Sequence, residues 1–281
     1  MGGSLGLALK KFVPSVRIVG YARRQTTRER ALGTGVVDEV FESPELAVRG
    51  AGAVVACVPV RTIPEIVREA LPGLSEGAVV TDVGSTKSDL CREMSVVVAD
   101  WGGRFVGSHP IAGSELEGLD AAHAELYQRA VVVITPEPGV EVSLNSARLV
   151  SEIWEAAGAN VVSMSPEAHD VMLAKTSHLP HMIAALLAAT VAGGGELQEK
   201  SVFCGQGFHD TTRVAAGSPG VWMDVLRTNR KSVCRELASY RDRLDDVISW
   251  LNAEDFTALE SFLAESKAAK GQLSTNRPER T

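Results

Sequence analysis

Residues 78–97 read AVVTDVGSTKSDLCREMSVV, and this stretch decides the fold. Ala78–Val83 is a short apolar run with the length of a buried strand, and Lys87–Val97 has the apolar spacing of a helix. The polar residues between them include a glycine, which is typical of the point where a strand ends. A buried strand followed by a helix is the repeating unit of a parallel sheet.

The same alternation continues on both sides of this stretch, from about residue 16 to residue 163. Further strands are predicted at Val16–Tyr21, Ala53–Val58, Phe105–Gly107, Ala130–Thr135 and Asn160–Ser163. Further helices are predicted at Thr27–Leu32, Pro44–Arg49, Thr62–Leu71 and Val142–Ala157. Continuous apolar strands that alternate with helices predict a mainly parallel sheet with helices on both faces, which is a Rossmann-like α/β domain.

The pattern changes at Ser165. Ser165, Pro166 and Glu167 form a helix start, with a capping hydroxyl, a proline at the first helical position and an acid in the first turn. Beyond them the apolar residues recur at helical spacing, and no strand is predicted. Val191–Lys200 is predicted to be a connection, and one or two more helices are predicted between residues 219 and 267.

A length of 281 residues is typical of two domains. We predict a dinucleotide-binding domain over residues 1–163 and an all-α domain over residues 164–281. The net charge of -7 disfavours binding to nucleic acid or to an anionic membrane surface. The sequence has no apolar run of about 18 residues, so no membrane span is expected.

The cysteines predict a reducing compartment. Cys57, Cys91, Cys204 and Cys234 form no CxxC pair, and their spacing suggests neither a disulfide framework nor a zinc site. The segment that begins at Met1 lacks the basic and apolar regions of a signal peptide. We therefore expect reduced thiols in a cytoplasmic protein.

The N-terminal stretch Met1–Leu9, which reads MGGSLGLAL, resembles the second half of a glycine-rich phosphate-binding turn that leads into a helix. Gly2, Gly3 and Ser4 are therefore candidate cofactor ligands. The first strand of such a domain is absent from this sequence, and in this fold that strand lies inside the sheet. Our hypothesis is that translation starts upstream, and the intact mass of the native protein tests it.

The end of the next predicted strand indicates which nicotinamide cofactor is bound. An acidic residue is expected there to hold the ribose hydroxyl of NAD, but the sequence has Ala22, followed by Arg23 and Arg24. Adjacent guanidinium groups pair well with the 2′-phosphate of NADP, so NADP is favoured over NAD. The alternative is that Arg23 and Arg24 are only a solvated helix start.

Two polar clusters follow predicted strands, where ligands bind in sheets of this type. The first is Asp82–Lys87, in which Ser85 is positioned either to cap the next helix or to hydrogen-bond a substrate hydroxyl or the nicotinamide. The second is Gly107–Glu115, in which Pro110 fixes the backbone after His109. A histidine held in this way is suited to accept a proton near neutral pH.

Two further clusters lie in the helical region. His169, His178 and His181 suit an anionic substrate group better than a metal, because Pro180 interrupts the helical spacing that metal ligands need. No metal is therefore predicted. Arg213 ends the other cluster, Gly205–Arg213, and one arginine binds a carboxylate through two hydrogen bonds. The alternatives are an ion pair of Arg213 with Asp210 or Glu115, and simple core packing for Trp222.

Taken together, these clusters resemble the prephenate/arogenate (cyclohexadienyl) dehydrogenase family. The resemblance extends from Met1 to about residue 265, the motifs follow the family's order, and His109–Glu115 and Ser177–His181 are the most specific stretches. It implies oxidative decarboxylation of prephenate or arogenate to 4-hydroxyphenylpyruvate or tyrosine, with hydride transfer to NAD(P). It also implies that the helical domain forms a homodimer, with the active site between the two domains.

The resemblance also implies a role for each candidate residue. His109 accepts the proton of the ring hydroxyl, Ser85 orients that hydroxyl and His109, and Arg213 binds a substrate carboxylate. The remaining substrate-binding candidates are His181, Ser114, Glu115, His169 and Trp222. The cofactor-binding candidates are Gly2, Gly3, Ser4, Ala22, Arg23, Arg24, Val58, Pro59 and Ser85.

Within these roles, His181 and Ser114 contact the side-chain end of the substrate, and Glu115 positions Arg213 and gates the pocket with His169. Trp222 supports the pocket wall. The sequence does not separate prephenate from arogenate, because a single keto or amino group differs between them.

Three other hypotheses about the function compete with a prephenate or arogenate dehydrogenase. A related dehydrogenase of β-hydroxyacids would lack the pair of stretches His109–Glu115 and Ser177–His181. A degenerate, non-catalytic nucleotide-binding protein would have lost some of the candidate residues, all of which are present. A metal-dependent hydrolase would contain metal, which elemental analysis detects.

Overall fold

The structure is a computed structural model that describes residues 1–112, 118–136, 141–194 and 197–275. Strands and helices alternate up to residue 163, and helices alone follow. The strands are β1 (Val19–Tyr21), β2 (Glu39–Phe41), β3 (Ala53–Ala56), β4 (Val79–Asp82), β5 (Arg104–Phe105), β6 (Gly107–Pro110), β7 (Val131–Thr135) and β8 (Asn160–Ser163). The helices among them are α1 (Gly2–Phe12), α2 (Gln25–Gly33), α3 (Pro44–Ala47), α4 (Ile63–Ala70), α5 (Ser88–Ala99) and α6 (Glu141–Ala156).

The strands form three ladders, β1-β2, β3-β4-β5 and β6-β7-β8, in which every pairing is parallel except that of β6 with β7. The mainly parallel sheet predicted from the sequence is therefore confirmed. Two details differ from the prediction. The run predicted as Phe105–Gly107 divides at Val106 into β5 and β6, and β2 was not predicted because it has only three residues and little apolar pattern.

Two strands have unpaired edges within the described part of the chain. β1 pairs only with β2, and β3 pairs only with β4. In a sheet with the strand order 3-2-1-4-5-6, these are the two strands that flank the first one. The unpaired edges of β1 and β3 are therefore the two edges that the first strand of such a sheet would join.

The interior of the α/β domain packs around Trp154, which is fully buried and meets the ring of Tyr127 edge to face at 5.1 Å. The indole Nε1 of Trp154 donates to the hydroxyl of Ser108 at 3.0 Å, so its polar atom is satisfied. Ser108 directly precedes His109 on β6. This packing thus fixes the strand that carries the candidate base.

The helical region begins as the sequence predicts, because Ser165 Oγ accepts the amide of Ala168 at 3.1 Å and Pro166 is the first helical residue. A π-helical segment, Ala174–His178, joins the first two helices. The helices are α7 (Pro166–Leu173), α8 (Leu179–Ala192), α9 (Leu197–Ser201), α10 (Gln206–Thr212), α11 (Pro219–Thr228), α12 (Arg230–Asn252) and α13 (Phe256–Thr275).

Two expectations for this region were wrong. The stretch predicted as a connection, Val191–Lys200, contains the end of α8 and most of α9. The residues from Pro219 onward form three helices rather than one or two. The boundary predicted between residues 163 and 164 lies between the end of β8 and the cap of α7 and stays a prediction. In the described part of the chain, no helix is both long and apolar enough to cross a membrane.

Candidate active site

His109 lies on β6 opposite Val133 of the antiparallel neighbour, and its side chain is directed toward the helical domain. There its Nδ1 atom is 2.9 Å from Nε2 of His169, with the two rings edge to face at 5.1 Å. His169 is on α7 and its side chain is fully buried. The two domains therefore meet at a pair of imidazoles.

The surroundings of His109 keep its imidazole neutral. Burial, together with the nearby His169, Lys87 and His178, holds the pKa of His109 well below its ordinary value of 6.5. A neutral imidazole has one unprotonated nitrogen that is able to accept a proton. The arrangement therefore suits a general base.

A buried ion pair fixes the loop between β4 and α5. Lys87 Nζ lies 2.5 Å from Oδ2 of Asp82, and both side chains are fully buried. The Asp82 carboxylate also accepts the amide of Gly84 at 2.7 Å and the amide of Ser108 at 3.0 Å. Asp82 therefore joins the loop that carries Ser85 to the strand that carries His109.

Ser85 is half-buried in the middle of this loop. The alternative that it caps the following helix is wrong, because α5 begins at Ser88 and its cap residue, Lys87, makes no side-chain cap hydrogen bond. Within the described residues, the hydroxyl of Ser85 makes no hydrogen bond. It remains available for a ligand, and its predicted catalytic role stays a prediction.

The other two candidate rings of the helical domain form a stack. His181 on α8 lies against the indole of Trp222 on α11, with ring centroids 3.4 Å apart and planes 13° apart. His178 meets the ring of Trp222 edge to face, with the ring centroids 6.0 Å apart. His181 Nδ1 is buried and has no hydrogen-bond partner among the described residues, so a polar ligand group would satisfy it.

Arg213 is exposed and starts a 3-10 turn, Arg213–Ala216, that packs against α8. The predicted alternative of an ion pair with Asp210 is wrong, since Asp210 accepts instead from Gln206 at 2.8 Å. The other predicted partner, Glu115, lies outside the described residues, as does Ser114. In the described part of the chain, the guanidinium of Arg213 forms no ion pair and remains available for an anionic ligand.

The candidate cofactor residues at the N-terminus lie in the first turn of α1 rather than in a loop before it. A Cβ atom on Gly2 would lie 3.0 Å from Cβ of Cys57, which directly follows β3. The start of α1 is thus beside the carboxyl end of β3, next to the half-buried Val58 and the exposed Pro59. Free amides at a helix start in this position suit a phosphate group.

Gly3 and Ser4 have structural contacts of their own. A Cβ atom on Gly3 would come within 2.8 Å of Cδ2 of Leu119, so a larger residue there would require the Leu119 side chain to shift. Ser4 is buried, and its hydroxyl accepts the amide of His123 at 3.3 Å. The Ser4 hydroxyl thus accepts a hydrogen bond within the protein, and both its O–H and the backbone amide of Ser4 remain able to donate to a cofactor.

Arg23 and Arg24 are exposed beyond the end of β1, and neither forms an ion pair with another described residue. The sequence did not single out Arg28, whose guanidinium donates to the carbonyls of Ala22 at 2.9 Å and of Arg23 at 3.0 Å. Arg28 thereby fixes the turn on which the two free guanidinium groups stand. Ala22 is half-buried and adds no negative charge at this position.

Three further residues of the site were not assigned a role from the sequence: Asp170, Lys87 and Asn229. Lys87 ends the polar cluster Asp82–Lys87, and Asp170 directly follows the candidate residue His169. Their positions in the sequence were the only signal that could have identified them. Asn229, between α11 and α12, donates to the backbone carbonyl of Asp170 at 2.7 Å, and no sequence pattern marked it.

Among the described residues, no cluster of three or more His, Cys, Asp and Glu side chains is placed to hold a metal ion.

The Rossmann-like sheet, the free helix start at its carboxyl edge and the imidazole pair at the junction with a helical domain define a two-domain nicotinamide-dependent dehydrogenase. The family model for the nucleotide-binding domain of prephenate dehydrogenase matches residues 5–163, and the model for its dimerization domain matches residues 165–265. The chain belongs to the prephenate dehydrogenase family, whose members are oxidoreductases that use NAD(P).

Individual relatives agree along nearly the whole chain. The cyclohexadienyl dehydrogenase of Zymomonas mobilis is 31% identical over 98% of this chain and 94% of its own length. The crystal structure of prephenate dehydrogenase from Aquifex aeolicus with hydroxyphenyl propionate and NAD+ has a TM-score of 0.89 and 31% identity, over 97% of this chain and 94% of that one. Arogenate dehydrogenase from Synechocystis has a TM-score of 0.82 and 27% identity, over 96% and 95% of the chains.

Proposed function

We propose that this chain oxidatively decarboxylates a cyclohexadienyl substrate, prephenate or arogenate, with transfer of a hydride to NAD(P) in tyrosine biosynthesis. The observation that carries the proposal is the neutral His109, hydrogen-bonded through Nδ1 to His169 and facing the junction of the two domains. The names of the relatives support it, since they are cyclohexadienyl, prephenate and arogenate dehydrogenases. The Aquifex structure contains NAD+ and a hydroxyphenyl compound.

In this proposal the chain's own residues position the substrate and move one proton. His109 accepts the proton of the ring hydroxyl at Nε2, and Ser85 hydrogen-bonds the same hydroxyl. The nicotinamide supplies the hydride acceptor when it is bound. Loss of carbon dioxide makes the ring aromatic, so the protein mainly has to align the groups and hold the anionic substrate.

Arg213 binds a substrate carboxylate through two charge-assisted hydrogen bonds. His181, with its unpartnered Nδ1, contacts the side-chain end of the substrate. Trp222 supports the imidazole ring of His181 by stacking against it. Ser114 and Glu115 keep the roles that the family resemblance implies, contact with the substrate and positioning of Arg213. His169 is fully buried, so its role is assigned through His109 rather than through direct contact with substrate.

For the cofactor, the amides of Gly2, Gly3 and Ser4 at the start of α1 would hold the pyrophosphate, beside Val58 and Pro59. NADP is preferred over NAD in this proposal, because Arg23 and Arg24 are free to pair with a 2′-phosphate and Ala22 lacks the carboxylate that would hold a ribose hydroxyl. The carboxylate's absence also removes repulsion of the 2′-phosphate.

The homodimer is assigned to the helical domain, which matches the family's dimerization domain. Large apolar side chains are exposed there, as expected of a surface that a second copy covers. They include Tyr240, Leu244, Ile248, Leu251, Phe256 and Leu263. The cytoplasmic location rests on the cysteines, since the described thiols of Cys57, Cys91, Cys204 and Cys234 are free.

The test is a steady-state assay of the purified protein with all four pairs of prephenate or arogenate and NAD or NADP. We expect turnover with at least one substrate, carbon dioxide release equal to reduced cofactor formed, and a higher kcat/KM with NADP. The assay also decides which of the two substrates is used. Absence of turnover with every pair would contradict the proposed function, and a higher kcat/KM with NAD would contradict the cofactor preference alone.

A further inference from the structure

The carboxylate of Asp170 lies where the two domains meet and accepts three hydrogen bonds. Its Oδ1 accepts from Nδ1 of His169 and from the amide of Lys87, both at 2.8 Å, and its Oδ2 accepts from the amide of Ser88 at 2.9 Å. The side chain is 5% exposed. Asp170 belongs to α7, whereas the two amides begin α5, so one carboxylate caps a helix of the other domain.

These contacts keep Asp170 ionised. Burial raises the pKa of Asp170, but the hydrogen bonds from His169, Ser88 and Lys87 outweigh that effect and bring the pKa below its ordinary value. An ionised carboxylate accepts hydrogen bonds and donates none. The proton between Asp170 and His169 therefore belongs to the Nδ1 atom of His169.

This assignment extends along the chain of contacts to His109. With the proton of His169 on Nδ1, its Nε2 is the nitrogen that accepts from Nδ1 of His109, at 2.9 Å. His109 then carries its proton on Nδ1, and its Nε2 is the free acceptor. The hydrogen bonds thus determine which nitrogen of His109 is available to a substrate.

We propose that Asp170 is a positioning residue that acts through His169 to keep Nε2 of His109 unprotonated and ready to accept a proton. This inference rests on the proposed function. In the step itself, the O–H bond of the ring hydroxyl breaks and an N–H bond forms at Nε2 of His109. The resulting imidazolium keeps its Nδ1 hydrogen bond to His169, and the negative charge of Asp170 stabilises it through that ring.

The arrangement also makes the base depend on contact between the domains. His109 and the start of α5 belong to the α/β domain, whereas His169 and Asp170 belong to α7. Asn229 holds the backbone carbonyl of Asp170 and lies 3.3 Å from Nδ1 of His178, so α7 is also fixed from within the helical domain. Separation of α7 from α5 would release His109 from its partner.

The first test is ¹⁵N NMR of the protein labelled at histidine, with the His109 signals assigned by their loss in His109→Asn. We expect both His109 and His169 to be protonated on Nδ1 at neutral pH. This measurement needs no substrate, so it separates failure of the inference from failure of the proposed function. A proton on Nε2 of His109 in the unaltered protein overturns the inference, whatever the variants show.

The second test compares Asp170→Asn with Thr228→Val in the same assay. Asp170→Asn keeps the shape of the side chain but removes its charge, and we expect kcat to fall by about 10-fold or more with KM changed by less than about threefold. Thr228→Val removes a different contact between the domains, the 2.8 Å hydrogen bond of Thr228 with Thr86, and should leave kcat unchanged.

Thermal unfolding of both variants shows whether each is folded at the assay temperature. If folded Asp170→Asn keeps the kcat of the unaltered protein, or if Thr228→Val loses kcat to the same extent, the carboxylate serves only to hold the domains together and the inference is wrong. A fall in kcat confined to Asp170→Asn, together with an altered protonation pattern of His109, supports it.

Discussion

The imidazole of His181 lies flat against the indole of Trp222, with the ring centroids 3.4 Å apart. The stack holds in place a histidine whose Nδ1 atom has no partner among the described residues. Behind it, Gly217 leaves no room for a side chain, because an added Cβ would come within 2.7 Å of Trp222 and 3.2 Å of His181. The position of the stack thus depends on a glycine.

Substitution Gly217→Ala is expected to push the stacked rings apart or displace them. Overpacking of this kind costs about 1–3 kcal/mol of stability, and the displaced His181 should raise KM for the substrate more than it lowers kcat. Urea unfolding and steady-state kinetics measure the two effects. Gly220→Ala is the matched control, because an added Cβ there meets only Ser218 Oγ at 3.9 Å. Equal behaviour of the two variants would contradict the prediction.

Substitution His109→Asn removes the nitrogen that we assign as proton acceptor while keeping a side chain of similar polarity. Loss of a general base typically lowers turnover by about 10²–10⁴-fold, and we expect a fall in kcat in this range. Substrate affinity should change little, because the carboxylate is held elsewhere. Substrate titration by calorimetry and steady-state kinetics separate the two effects, and a variant with ordinary kcat would exclude His109 as the base.

The dependence of kcat/KM on pH should reflect the lowered pKa of His109. His109 is active as a base only when neutral, so protonation at low pH removes activity. Since burial and the neighbouring His169, Lys87 and His178 hold its pKa well below 6.5, kcat/KM should stay constant as the pH falls to 6.5 and decrease only at more acidic pH. A pH profile with an acid midpoint at or above 6.5 would argue against this environment for His109.

Substitution Arg213→Ala removes the guanidinium that we assign to a substrate carboxylate. Hydrogen bonds to charged groups contribute about 1.5–3 kcal/mol, so we expect KM to rise roughly 10- to 100-fold with a smaller change in kcat. Arg227→Ala is the control, because Arg227 is also exposed and lies in the last turn of α11. An unchanged KM in Arg213→Ala would remove this residue from the substrate site.

Much of the fold follows from the sequence, because it depends on local patterns. The apolar run Ala78–Val83 and the cap at Ser165 are each determined by residues close together in the chain, and both elements are present as predicted. The sequence did not predict β2, which has only Glu39–Phe41 to mark it, or the antiparallel pairing of β6. Strand direction depends on how distant segments meet, which no local pattern records.

The candidate site, like the fold, could be predicted from the sequence only in part. The sequence selected His109 and Ser85 because each was predicted to follow a strand, where ligands bind in sheets of this type. In the structure Ser85 follows β4, whereas His109 lies within β6. It did not show that His109 would contact His169, or that Asp170 would cap a helix of the other domain, since each contact joins segments at least 60 residues apart. Contacts of this kind become visible only when the two domains are placed together.

The π-helical segment Ala174–His178 lies between the helix of His169 and the helix of His181, and its wider turn sets the angular offset between them. A π turn holds about one residue more than an α turn, so deletion of a single residue there would restore ordinary α-helix while α8 kept nearly its present direction. The segment therefore allows the chain between His169 and His181 to lose or gain one residue without displacing the stack of His181 on Trp222.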